Sequence, residues 1–140
     1  MKRLAAGPAR TFLTLALLGG LAACGDDDDP TGVAGDLVGT WEVTRFQAVG
    51  FADFISAGMG LTIALTENEY TFTVTNDLVG ICGGAADCTD SGTHSATSSQ
   101  ITLDPGTPDA ITFSYEIQGS TMTWTGSVGG FPVTIEATRT

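Results

Sequence analysis

The sequence predicts an all-β domain, a small antiparallel barrel of about eight strands. Three observations predict it: apolar and polar residues alternate in short runs from residue 37 onward, turn residues separate the runs, and no long stretch after residue 24 has a convincing helical period. Consecutive antiparallel strands with short turns form a meander, and eight strands can close into a barrel without exposed edges. A sandwich of two sheets remains the alternative.

Two segments precede this domain. Residues 1–23 have the three parts of an export signal, namely a basic start, an apolar run at 12–18 and small residues before Cys24. The apolar run is shorter than the roughly 20 residues of a membrane-spanning helix. Residues 24–36 are predicted to be a disordered acidic linker, because the aspartates at 26–29 repel one another and residues 25–32 offer no apolar side chain to bury. The β domain therefore occupies residues 37–140.

The strands follow in chain order from the alternation, with threonine filling much of the polar face, where its branched side chain suits a pleated sheet. Turn residues stand at 67–68, 104–106, 118–120 and 129–130. Residues 48–59 are the exception and are expected to form a loop with one helical turn. The expected strands are residues 39–47, 61–66, 70–75, 92–97, 100–103, 111–117, 121–125 and 131–138.

The end of the export signal, Leu21-Ala22-Ala23-Cys24, resembles the lipobox of bacterial lipoproteins. The resemblance implies that the Cys24 thiol takes a diacylglyceryl group and that the chain is cleaved just before it. Several acyl chains, such as palmitate, on one residue exceed what stable membrane anchoring needs. In such lipoproteins an aspartate after the cysteine can retain the protein in the inner membrane, so Gly25 favours the outer membrane. The expected location is the bacterial cell envelope.

The last strand ends on a residue that breaks its alternation. Every second residue from 131 to 137 is apolar, but the next residue in this series is the charged Arg139. A buried guanidinium needs a partner, and an indole face is a good one. Trp41 stands at the head of the first strand, which neighbours the last strand if the sheet closes. Trp41 and Arg139 are therefore expected to meet at one end of the barrel.

The sequence from Gly39 to Trp41, with the terminal Arg139, resembles the opening and the end of lipocalins and bacterial lipocalin-like domains. The resemblance covers about residues 37–140. It implies an eight-stranded barrel whose closed end is packed by the tryptophan beneath the arginine. The Thr-Asp-Tyr motif of many lipocalins has no counterpart here. Because the domain has only 104 residues, its cavity is expected to be small.

Charge and chemistry narrow the possible functions. After Cys24 the chain has two arginines, no lysine and sixteen carboxylates, a net charge of −14 that disfavours nucleic acid as a partner. Cys82 and Cys88 are expected to form a disulfide in an oxidising compartment. His94, the only histidine, is expected to be a solvated surface residue. No nucleophile, metal or cofactor motif is apparent, so the sequence predicts a protein that is not an enzyme.

Two functions fit a small acidic barrel. The first is binding of a small hydrophobic ligand by the side chains that point inward. The alternative for these side chains is that they pack against each other and fill the core. The second is a partner-binding or inhibitory role, in the envelope, for loops at residues 48–60 and 79–93 on a barrel with a filled core. An apolar pocket of some ~300 Å³ or more would favour the ligand. The candidate ligand-binding residues are Tyr70, Phe72, Phe113, Tyr115, Met122, Trp124 and Phe131.

Overall fold

The computed structural model describes residues 36–140, and they form one closed antiparallel barrel in which each strand pairs with its neighbours in sequence and the last pairs with the first. The predicted all-β meander barrel of eight strands is confirmed, and the sandwich alternative is excluded. The strands are β1 (Gly39–Ala48), β2 (Gly60–Leu65), β3 (Glu69–Thr75), β4 (Cys88–Ala96), β5 (Gln100–Leu103), β6 (Ile111–Gln118), β7 (Thr121–Val128) and β8 (Phe131–Arg139).

The predicted signal peptide, Cys24 and the linker as far as residue 35 lie outside the described residues. Within residues 36–140, no helix is long and apolar enough to cross a membrane. The expected helical turn in the β1–β2 loop corresponds to a series of turns, in which the Ala57 amide donates to the Asp53 carbonyl at 3.1 Å.

The alternation of the sequence turns apolar side chains inward, as in β8, where Val133, Ile135 and Ala137 are buried. In β1 the alternation changes phase, because the pairing with β8 shifts register between Val43 and Arg45. This β-bulge adds one residue to β1 and turns the following side chains over. As a result, Phe46 is buried and the charged Arg45 is exposed.

The two ends of the barrel differ in their connections. One end, the base, carries the short turns at residues 66–68, 97–99 and 119–120 together with the chain entering β1 and leaving β8. The other end, the mouth, carries the connections at residues 49–59, 76–87, 104–110 and 129–130. Two of the mouth connections are long enough to fold over the opening.

Candidate ligand-binding cavity

The base is closed by the contact between Trp41 and Arg139. These residues are paired across β1 and β8, and the Arg139 Cζ atom lies 4.5 Å from the centroid of the fully buried indole. The indole N–H donates to the Leu37 carbonyl at 3.0 Å. Gly39, at a φ of 146°, leaves room for the guanidinium, because a Cβ there would lie 3.2 Å from Arg139 Nη1.

The expectation that Arg139 is a buried charge is wrong. Its side chain is exposed, because β8 ends at the rim of the base. The guanidinium donates to the Val38 carbonyl at 3.1 Å and to the Asp36 carbonyl. Arg139 therefore fastens the chain that enters β1 onto the last strand.

The base half of the barrel is a filled core. Tyr115 and Met122 are buried there and do not line the cavity. The structure therefore corrects their assignment as candidate ligand contacts. The reason is their position along the barrel axis. Tyr115 and Met122 lie closer to the base ends of β6 and β7 than the cavity-lining Phe113 and Trp124 do. The Tyr115 hydroxyl donates to the Thr97 carbonyl at 2.6 Å, and the pKa of Tyr115 is raised mainly because the side chain is buried.

His94 is not the solvated residue that the sequence suggested. It is only 4% exposed, and its Nε2 atom lies 3.0 Å from the Thr66 carbonyl oxygen, which requires a proton on Nε2. β4 begins at Cys88, earlier than expected, and its inward parity includes His94. Its inward residues are mostly small or polar, so no apolar alternation marked the start of this strand.

The mouth half encloses a cavity of about 640 Å³. Five of the seven predicted ligand contacts line it: Tyr70, Phe72, Phe113, Trp124 and Phe131. The ring centroids of Phe113 and Trp124 are 5.3 Å apart, and those of Tyr70 and Phe72 are 4.8 Å apart. Aliphatic side chains complete much of the wall: Leu61, Ile63, Leu103, Ile111, Val133 and Ile135.

The rim of the mouth is apolar. Phe131 is 53% exposed, so its predicted inward position is corrected to a place on this rim, where β8 begins. Phe51 packs edge-on against it, with ring centroids 5.9 Å apart, and Phe51 and Phe54 both line the cavity. In the described part of the chain, every large hydrophobic side chain that is markedly exposed lies at the mouth: Val49, Phe51, Leu78, Val79, Ile81, Val128 and Phe131.

A tyrosine–carboxylate pair interrupts the apolar wall. The Tyr70 hydroxyl donates to Asp104 Oδ2 at 2.6 Å, and the Thr93 amide donates to Asp104 Oδ1 at 3.2 Å. Burial, followed by the bond to Asp104, raises the pKa of Tyr70. Gly92 faces this pair, and a Cβ there would lie 2.8 Å from the Tyr70 hydroxyl oxygen. Glycine is thus required for the pair to fit.

The β3–β4 connection is braced at the mouth. Cys82 and Cys88 form the predicted disulfide, with Cα atoms 5.5 Å apart, which ties the loop to the first residue of β4. Asp77 accepts amide hydrogen bonds from Val79 at 3.0 Å and from Cys82 at 2.7 Å, and its pKa is lowered because these bonds outweigh its burial. This bracing holds part of the apolar rim beside the cavity.

Sequence reasoning missed the polar part of the wall, which comprises Asp90, Asp104 and Asp109 besides Tyr70. Asp104 and Asp109 stand in the β5–β6 connection, where an aspartate reads as an ordinary turn residue. Asp90 shares the parity of His94, which the sequence placed at the surface, so the alternation gave no signal for it either. Within residues 36–140, no three histidine, cysteine or carboxylate side chains are grouped closely enough to hold a metal ion.

No protein family and no curated protein matches the chain. Among solved structures, the crystal structure of the wild-type fluorescent protein UnaG aligns with a TM-score of 0.45 and 12% sequence identity, over 77% of this chain and 100% of that chain. A point mutant of UnaG aligns with the same TM-score and identity, over 76% of this chain and 98% of its own.

Proposed function

We propose that the protein is a lipid-anchored barrel of the bacterial cell envelope that binds a small hydrophobic ligand in the cavity of its mouth half and catalyses no reaction. The observation that carries the proposal is the cavity itself. Its volume of about 640 Å³ lies within the ~300–1,000 Å³ that is usual for sites of small molecules. It exceeds the threshold that separates a ligand site from a packed core.

The chemistry of the wall supports an apolar ligand. Aromatic and aliphatic side chains from β1, β2, β3, β6, β7 and β8 face the cavity. A ligand that covers this wall removes apolar surface from water, which stabilises the complex by about 25 cal/mol per Å². The exposed Phe51 and Phe131 on the rim offer a first contact for a ligand that enters from solution.

The position of the chain entry fits an anchor on Cys24. Residue 36 lies at the base, where Arg139 holds it, and the mouth lies at the opposite end. A tether of residues 25–36 reaches at most about 40 Å at ~3.3–3.6 Å per residue. Attached in this way, the barrel would have its base towards the membrane and its mouth away from it.

A loop-mediated role is the second candidate, and the exposed apolar rim favours it. Val49 is 69% exposed and does not line the cavity, so it is free to contact a partner in the envelope. The filled core that accompanied this candidate does not hold for the mouth half. The two functions separate experimentally, because only ligand binding depends on the volume inside the barrel.

A variant that reduces this volume tests the ligand. Ala48 is buried and lines the cavity, so Ala48→Phe would put a ring into the space. Ala64→Phe is the control, because it adds the same ring on the outer face of β2. We expect Ala48→Phe to weaken binding of a neutral fluorescent hydrophobic probe at least tenfold, a loss of about 1.4 kcal/mol or more. Energy transfer from Trp124 to the probe measures it, and urea unfolding checks the fold of both variants. Equal affinity in Ala48→Phe and Ala64→Phe would contradict a ligand in the cavity.

Replacement of the lipidated residue tests the anchor. Cys24→Ser removes the thiol to which the lipid is attached, so the protein should lose labelling by radioactive fatty acid and leave the membrane fraction. Cys82→Ala/Cys88→Ala is the matched control, because it removes the two other cysteines but should retain the label. Unchanged labelling of Cys24→Ser would rule out this anchor.

A further inference from the structure

The charged groups of the cavity all have the same sign. Asp90, Asp104 and Asp109 line it, and no arginine, lysine or histidine among the described residues does. The two described arginines are engaged elsewhere: Arg45 forms an ion pair with Glu136 at 3.0 Å on the outer wall, and Arg139 closes the base.

These carboxylates differ from the other aspartates of the mouth, which organise loops. Asp53 and Asp77 accept backbone amide hydrogen bonds that shape their own connections. By contrast, Asp90 and Asp109 are exposed and accept no hydrogen bond from any described residue, whereas Asp104 accepts the Tyr70 hydroxyl and the Thr93 amide. Two carboxylates of the cavity wall are thus available to a ligand.

The surroundings decide which ligand charge is tolerated. The negative charges of Asp104 and Asp90 contribute to the raised pKa of Tyr70, so their field reaches the wall between them. A ligand carboxylate would bring a further negative charge close to a wall whose charged groups are all carboxylates, and like charges repel each other. A protonated amine there would instead gain charge-assisted hydrogen bonds, which are stronger than neutral ones.

We propose that the ligand is a hydrophobic amine, whose apolar body occupies the cavity and whose protonated nitrogen binds a carboxylate of the cavity wall, that of Asp90 or Asp109. The inference rests on the proposed function and adds the chemical class of the ligand. It separates this cavity from one built for fatty acids, which would need a positive side chain at the headgroup.

Three probes with the same alkyl chain test the class: decylamine, decanol and decanoate. Each is titrated as a competitor of a neutral fluorescent hydrophobic probe, at neutral pH and below its critical micelle concentration. We expect decylamine to bind at least tenfold more tightly than decanoate, with decanol between them, since a tenfold ratio needs only about 1.4 kcal/mol. Decanoate that binds as tightly as decylamine would overturn the inference, and binding of decanol would then leave the proposed function intact. If none of the three binds, both fail.

A pair of double variants locates the effect. Asp90→Asn/Asp109→Asn removes two charges from the cavity wall, and Glu67→Gln/Glu69→Gln removes two from exposed positions at the base. The first should lower the affinity ratio of decylamine to decanoate about tenfold, and the second should leave it nearly unchanged, because exposed charges at the far end are screened by salt. An equal decrease in both variants would mean attraction by the general acidity of the surface and would overturn the proposed site.

Discussion

The two halves of the barrel are built from the same eight strands, yet the base is filled and the mouth is hollow. At the base, Trp41 and Met122 belong to the buried core, and short turns hold the strand ends together. At the mouth, the inward positions of β4 include Asp90 and Gly92, which contribute little apolar volume, and long connections replace the turns. The alternation therefore predicts that a side chain points into the barrel, but it does not predict whether that side chain packs in the core or lines the cavity.

The two ends also differ in how they use charged side chains. In residues 37–140, every aspartate lies at the mouth end, whereas Arg139 lies at the base. The guanidinium stabilises the base by stacking on the indole and by bonding to backbone carbonyls. One end of the barrel thus uses a cation to close the structure, and the other leaves anions along an open cavity.

The largest expected effect lies at the base. Trp41→Ala would remove a fully buried indole, leave a cavity and deprive Arg139 of its stacking surface, so we expect a loss of about 3–5 kcal/mol in the free energy of unfolding. Arg139→Ala should cost less, about 0.5–1 kcal/mol for the lost stacking, since the side chain is exposed. Urea unfolding measures both variants.

The double variant sharpens this result. Because Trp41 and Arg139 share one contact, the double variant should cost less than the sum of the single changes. Strict additivity would mean that the stacking contributes nothing to closure.

The sequence was sufficient for much of the fold, and the reason is the period of two. Threonine and apolar residues alternate so regularly in β3 and β6 to β8 that strands and their inner faces could be assigned without structure. The disulfide followed from the presence of two cysteines after Cys24. The meeting of Trp41 and Arg139 followed from parity together with closure.

The site was only partly predictable, because depth along the barrel axis has no period in the sequence. Phe131, Trp124 and Met122 share one parity, but they lie at the rim, in the cavity wall and in the filled base respectively. His94 and Asp90 were misread for a different reason, since β4 has too few apolar residues to be recognised as a strand over its full length. The polar part of the cavity wall was hidden in that strand and in a turn.

A pair of leucines on one strand tests the difference between the two halves most directly. Leu61 and Leu65 are both on the inner face of β2 and almost equally buried, at 6% and 3% exposed, but only Leu61 lines the cavity. Leu65→Ala would open a new void in the filled base, so we expect a loss in the usual range of about 2–5 kcal/mol. Leu61→Ala would enlarge a space that already exists and lose fewer contacts, so its cost should be smaller by about 1–2 kcal/mol.

Urea unfolding of the two leucine variants measures that difference, and titration with the neutral hydrophobic probe supplies the control. Leu61→Ala should change the affinity for the probe, because Leu61 is part of the cavity wall, whereas Leu65→Ala should not. Equal stability losses would indicate that the mouth half is packed as tightly as the base in solution. Since close packing leaves no room for a ligand, that outcome would remove the cavity and, with it, the physical distinction between the two ends of the barrel.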